Sequence, residues 1–342
     1  MGEFNEEPTQ SPGKDGASFG ENFELERGFG STHLSSAAER FAVFQAAQSF
    51  SSRLWKRFGL SETPQTASEQ AILKIRPQAH WSLVNFREMW EYRDLLWTLA
   101  VRDLKLRYRQ TSLGILWVVF QPVAGAGVFA LVFGWVAGMA AGKQSYFVFS
   151  LAGLLVWTAF QSTLLKCSMA LLGNGALVSK VYFPRLLLPL STLLSTLVDF
   201  AIGLVVFVVA GLLTGWRPDW LGLLTLPVWL AAALLTSSGV GLLAAALMTK
   251  FRDVQHALPT LLTFLMYASP VAYALSAVPE KWKPIFYWNP VTWMLEGARA
   301  ALLGTTPVSG MWMAYSFGCS LTLFGLGVLC FRKMERSFAD VF

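Results

Sequence analysis

Five stretches of the chain contain no Asp, Glu, Lys or Arg: 110–142, 144–165, 220–249, 254–279 and 300–331. About 20 predominantly apolar residues cross the hydrocarbon layer of a bilayer as a helix, so each stretch is long enough to span. A further apolar stretch, 186–213, carries one charge, Asp199. The pattern predicts six crossing helices, at about 113–139, 146–172, 186–213, 221–248, 254–275 and 311–331. Turn residues mark some of their ends. Gly173-Asn174-Gly175 is a helix stop, and Gly215-Trp216-Arg217-Pro218-Asp219 a loop.

Two segments outside the spans have helical patterns of their own. In LVNFREMWEYRDLLWTLAVRDLKLRYRQ, Phe86, Trp90, Leu96, Trp97, Ala100 and Leu104 recur at helical spacing, with charged residues largely elsewhere. Tryptophans on an apolar face flanked by basic residues predict a helix lying along the membrane surface. A weaker candidate of the same kind lies at 41–58. Between spans five and six, Pro279, Pro284 and Pro290 divide AVPEKWKPIFYWNPVTWMLEGARAALLG into two short pieces. Asn289 before Pro290 is a helix start. The piece from Val291 to Leu303 would be roughly 20 Å long at 1.5 Å per residue, too short to cross. A pair of re-entrant or interfacial helices fits. An outer loop anchored by its aromatics would look similar.

Composition agrees with the pattern. The chain is 54% hydrophobic and 14% charged, with a mean hydropathy of +0.47, against about 25% charged in soluble domains. The short connections that alternate along the six spans differ in charge. Arg102, Lys105, Arg107 and Arg109 precede span one; Lys180 and Arg185 follow span two; Lys250 and Arg252 follow span four; Arg332, Lys333 and Arg336 follow span six. The opposite short loops hold only Lys143 and Arg217, while the longer 276–310 stretch breaks the pattern with Lys281, Lys283 and Arg299 beside Glu280 and Glu296. By the positive-inside rule both termini and the 173–185 and 249–253 loops are cytoplasmic. The first 30 residues carry seven acids and two bases, so the net +6 divides as −5 and +11. The first 80 residues contain no uncharged apolar run, so they are not expected to be a cleaved secretory leader, and residues 1–35 read as disordered. The expected organisation is a cytoplasmic extension at 1–70 and a transmembrane domain at 71–342.

Little in the chain resembles an active site. Gly142-Lys143 lacks the earlier glycine and the Ser or Thr of a P-loop, so no nucleotide site is expected. The three histidines are scattered, and Cys167, Cys319 and Cys330 have neither metal-like nor disulfide-like spacing, so no metal site is expected. Lys166 lies close enough to the end of span two to snorkel to the interface. Asp199 falls near the midplane, where a carboxylate faces protein or water, and pairing with Lys166 across helices is one way to hold it. Phe129, Phe133, Trp135, Tyr146, Phe149, Trp157 and Asp199 are candidates to line a path for an amphiphilic, sugar-containing substrate. The alternative for most of them is packing or lipid contact.

These residues resemble a known family. IRPQAHWSLVNFREMWEYRDLLWTLAVRDLKLRYRQTSLGILWVVFQP, the segment 179–190, FRDVQHALPTLLTFLMYASPVAY and NPVTWMLEGARAALLG are similar, in order, to the membrane subunit of polysaccharide ABC exporters of the ABC-2 class, O-antigen or teichoic acid type. The resemblance covers about 72–342. It implies an all-α integral membrane fold: six spans, an amphipathic interface helix, a short coupling helix and two outer gate helices. It also implies a homodimer in the bacterial inner membrane, served by two copies of a separate cytoplasmic ATPase that bind the ATP and Mg, with no nucleic-acid partner. The substrate would be a lipid-linked glycan on undecaprenyl pyrophosphate, with membrane lipids as further partners.

By resemblance, Phe86, Trp90, Tyr92, Arg93, Trp97 and Arg102 belong to the interface helix. Lys180, Val181, Tyr182, Phe183, Pro184 and Arg185 would couple to the ATPase, and Trp282, Trp288, Asn289, Pro290, Trp293, Glu296 and Arg299 would form the outer gate. Arg102, Arg107 and Arg109 are candidates to meet the lipid phosphate. Capsule or teichoic acid export, drug export by the same class, an ATPase-independent transporter and a membrane-embedded glycan-modifying enzyme are the competing readings.

Overall fold

The computed structural model describes residues 90–109, 115–139, 144–180 and 183–335. The expectations for 1–70, including the helix at 41–58, and for Phe86, Val181 and Tyr182 lie outside the described residues. In chain order the elements are α1 (Arg93–Arg109), α2 (Ile115–Phe129), a π-helical continuation (Ala130–Val136), α3 (Tyr146–Gly173), α4 (Gly175–Lys180) and α5 (Leu187–Leu213). They continue as α6 (Trp220–Leu223), α7 (Leu226–Lys250), α8 (Val254–Tyr267), a 3-10 turn (Leu275–Ala277), α9 (Lys283–Trp288), α10 (Pro290–Leu303) and α11 (Gly310–Glu335).

Five stretches among the described residues are long and apolar enough to cross a membrane: Leu116–Val136, Tyr146–Gly173, Leu187–Leu213, Trp220–Lys250 and Gly310–Glu335. They fall on five of the six expected spans. The one expected at 254–275 differs. Its helix α8 has 14 residues, about 21 Å at 1.5 Å per residue, and ends at Tyr267. Pro270 has no N–H to donate and disfavours helical backbone at Ser269, so 268–274 continues in turns. Hydropathy does not register this break, because every residue from Ala268 to Ala274 is apolar or small.

Helix α3 is the centre of the bundle, with 78% of its most apolar window buried, while α2 at 11% lies at the edge. Helices α2, α5, α7 and α10 pack round α3. Small residues let some of these backbones approach closely, as in other membrane bundles. A Cβ on Gly327 of α11 would stand 2.2 Å from the Gly239 carbonyl oxygen of α7. Beside that crossing, Thr236 Oγ1 donates to Ser320 Oγ at 2.9 Å, joining α7 to α11.

Two apolar clusters divide the interior. The larger one is built on α3 and includes Phe149, Trp157, Phe207, Trp216, Trp229 and Met294. The smaller one gathers Leu99, Leu171, Val178, Phe183, Leu187, Leu242 and Phe331 at the end where the basic residues collect. Helix α1 docks here. Leu99 and Ala100 are buried, with Tyr92, Leu95 and Leu96 beside them, whereas Trp90 and Trp97 are 70% and 62% exposed. The single apolar face expected for α1 is thus divided: leucines pack on the protein and tryptophans face outward.

Candidate functional site

The connection 174–186 is held from both sides at the basic end. Asn174 ends α3, its N–H donating to the Leu171 carbonyl. Its side chain accepts from Arg102 Nη2 of α1 at 2.6 Å and donates to the Ala170 carbonyl at 2.9 Å. Arg102 also donates to Asp103 at 2.8 Å. This candidate for the lipid phosphate thus commits Nε and Nη2 to Asp103 and Asn174, and the latter bond ties α1 to the turn between α3 and α4. At the other side Arg185 Nη1 donates to the Glu335 carbonyl at 2.7 Å, joining the segment to the end of α11. Of the segment expected to couple, Gly175–Lys180 is helical and 183–186 is not. Phe183 is 5% exposed and packs with Leu186, Val328 and Phe331. Its ring is taken up within this chain, leaving exposed Lys180 on the outer surface. Arg107 and Arg109 occupy the last turn of α1.

Of the readings open for Lys166 and Asp199 (snorkelling, a pathway, a pair across helices), the structure shows the pair. Lys166 Nζ donates to Asp199 Oδ2 at 3.0 Å and to Ser195 Oγ at 2.9 Å, with Thr196 Oγ1 at 3.4 Å. Opposite charges buried in an apolar bundle are tolerable when they neutralise each other and hydroxyls complete the set. This arrangement places Asp199 in a structural network rather than alone on a pathway.

The opposite end is organised round Arg299, 3% exposed. Its Nη2 donates to the carbonyls of Pro270 and Val271 at 2.8 and 2.9 Å, and its Nη1 to Glu296 at 2.7 Å. The guanidinium carbon lies 4.1 Å from the centroid of the Phe149 ring. Tyr146 Oη donates to the Ala272 carbonyl at 2.8 Å, and Asn289 Nδ2 to Ser269 Oγ at 2.9 Å. Backbone acceptors that a continuous helix would satisfy are thus met by side chains from α3 and α10, and the Ser269 hydroxyl by Asn289. A Cβ on Gly153 would fall 2.4 Å from the Val271 carbonyl oxygen and 2.5 Å from Arg299, so only glycine fits there. Asn289 also caps α10, accepting from the Val291 N–H at 3.0 Å, as the Asn-Pro pair predicted. Glu280, hydrogen-bonded to Lys283, raises that ammonium's pKa above its usual value.

The aromatics separate into different environments. Phe129, Phe133, Tyr273 and Phe286 form a chain of ring contacts at 5.9, 6.4 and 6.2 Å from the edge of α2 to α9. Tyr146 touches Phe149 at 5.5 Å. Trp157 is 1% exposed and donates to Gln161 within α3, while Trp135 is 83% exposed. Trp157 and Phe149 are therefore core residues of this chain. Trp282 and Trp288 are exposed on and beside α9, but Trp293 is buried and stacks on Trp312 with centroids 4.3 Å apart.

A family model for ABC-2 type transporters matches residues 94–303. The chain belongs to the ABC-2 type transporter family. It is 31% identical over 229 residues to the O-antigen export system permease protein RfbA of Myxococcus xanthus, covering 67% of this chain and 81% of that protein. A Klebsiella pneumoniae protein of the same name is 28% identical over 249 residues, covering 72% and 95%. The polysialic acid transport protein KpsM of Escherichia coli is 25% identical over 244 residues, covering 70% and 93%. The matched region of this ABC-2 chain runs from α1 to the end of α10, so it includes the 174–186 connection and Arg299 but not α11.

Sequence reasoning missed Tyr273, Trp312 and Tyr315. Trp312 and Tyr315 sit three apart at the start of α11, one helical turn, and that spacing was the available signal. Tyr273 had none, because its position follows from the break in α8.

Proposed function

We propose that the chain is the permease subunit of an ATP-driven exporter that carries lipid-linked polysaccharide, O antigen in the first instance, across the bacterial inner membrane. The observation that carries this reading is the alignment over 95% of the Klebsiella O-antigen permease, joined to a 174–186 segment tied to both α1 and α11. A segment fixed at both sides passes on a push from outside instead of absorbing it. The working unit is a homodimer with two separate ATPases docked at Lys180–Arg185. The broken stretch from α8 through 274 supplies the sixth crossing, which puts both termini in the cytoplasm. Arg107 and Arg109, at the end of α1, meet the pyrophosphate of the carrier lipid. The KpsM similarity favours capsule export as the second reading.

The test is made in the chain's own host. Deleting the chain should leave lipid-linked polymer inside the cell, and chemical analysis of that polymer separates O antigen from capsule. A catalytically dead ATPase should stop export, and Arg185→Glu should stop it while insertion stays normal. Continued export with the dead ATPase would reveal a secondary transporter and end this reading.

A further inference from the structure

Helix α11 is tied at both ends to segments that an export cycle would have to move. At the basic end Arg185 holds the Glu335 carbonyl at 2.7 Å, and Phe331 is buried in the same cluster as Phe183. At the far end Trp312 stacks on Trp293 with planes 10° apart. Tyr315 Oη donates to the Trp288 carbonyl at 2.7 Å, and Ser316 Oγ to the Pro290 carbonyl at 3.4 Å. These two bonds grip the chain on either side of Asn289, the residue that holds Ser269 in the broken segment. A single helix of 26 residues, about 39 Å long, thus links 183–185 to the turn at 268–271. Helix α11 contains no proline, and its hydrogen-bond ladder makes it stiff along its axis. Only 28% of its apolar window is buried, against 78% for α3. Helix α3 is hemmed in on several sides, whereas α11 packs chiefly on α7, where Gly327 meets Gly239 and Thr236 bonds Ser320, and on α10, so its two ends are joined through one stiff body.

We propose that α11 is the connecting rod of the transporter. Movement of the coupling segment passes through the Arg185–Glu335 link and the buried cluster shared by Phe183, Val328 and Phe331 into α11. The Trp312–Trp293 stack then delivers it to α9, α10 and the broken segment. This inference rests on the reading that an ATPase drives the coupling segment. It differs from the ordinary role of a peripheral span, which is only to close the bundle toward lipid.

Two experiments on the full transporter test it. Trp312→Ala should leave ATPase association and hydrolysis unchanged and lower polymer export about tenfold, the scale of one lost aromatic stack. Trp312→Phe should keep most of the export. In a background with Cys167, Cys319 and Cys330 replaced by alanine, Arg185→Cys with Glu335→Cys should export poorly, and a short bis-maleimide joining the two should restore it. Wild-type export from Trp312→Ala overturns the proposal, as does failure of the cross-link to restore transport, since the contact would then have to open in each cycle. ATP-dependent export that tolerates both changes sinks the rod alone. Export that ignores a dead ATPase sinks the reading beneath it as well.

Discussion

Replacing Arg299 with leucine removes the donor that closes the break in α8. The Pro270 and Val271 carbonyls then lose their partner at 2.8 and 2.9 Å in a buried site, and each buried acceptor left unsatisfied costs about 1–3 kcal/mol. The guanidinium–Phe149 contact at 4.1 Å is worth about 2 kcal/mol when desolvated. Against these losses, leucine avoids burying a cation, and a buried charge is costly even when paired. The balance is about 2–5 kcal/mol against the closed arrangement of 268–274, concentrated locally because the rest of α10 keeps its packing. Hydrogen exchange of the protein in nanodiscs is the assay. Amides of 269–274 should lose protection by about two orders of magnitude or more, at 1.36 kcal/mol per factor of ten, while α3 and α7 keep theirs. Arg299→Lys should fall between the two, since a point charge replaces a planar fork. Unchanged protection of 269–274 in Arg299→Leu would refute the reasoning, because the carbonyls would have another donor.

Lys166→Met and Asp199→Asn should each destabilise the protein by about 3 kcal/mol, the cost of stranding one charge inside the bundle. The double variant should recover most of that loss in thermal unfolding, and two additive losses would mean the pair is not coupled. Gly327→Leu drives a side chain into the Gly239 carbonyl, where even a Cβ would come within 2.2 Å. It should lower stability by at least about 1–3 kcal/mol, whereas Gly318→Ala on the same helix meets nothing within 4 Å and should be neutral. Arg102→Ala should loosen α1 from the 174–186 connection, seen as faster proteolysis before Asn174, with a small change in melting temperature because the link is partly exposed.

How much of this was legible in the sequence depends on the kind of force that places each group. The spans were readable because exclusion of charge from hydrocarbon acts residue by residue: 146–172 became Tyr146–Gly173, and 186–213 became Leu187–Leu213. The Lys166–Asp199 pair was readable for the same reason, since a lone charge at depth demands a partner. The break at 268 was not, because its acceptors are met by Arg299 and Tyr146, 29 and 126 positions away in the case of the Pro270 and Ala272 carbonyls. Nor could the aromatics be sorted. Helix α3 is apolar on every side, so no periodicity separates buried Trp157 from a residue facing a pathway. The same blindness applied to Phe183, which in a basic loop looked like a surface group. A phenylalanine between two cations is as suitable for anchoring a loop to its own bundle as for entering another protein. Only the position of Phe331, nearly 150 residues further along, decides between them. Phe183 is therefore an anchor of the loop to its own bundle, while Lys180 stays exposed.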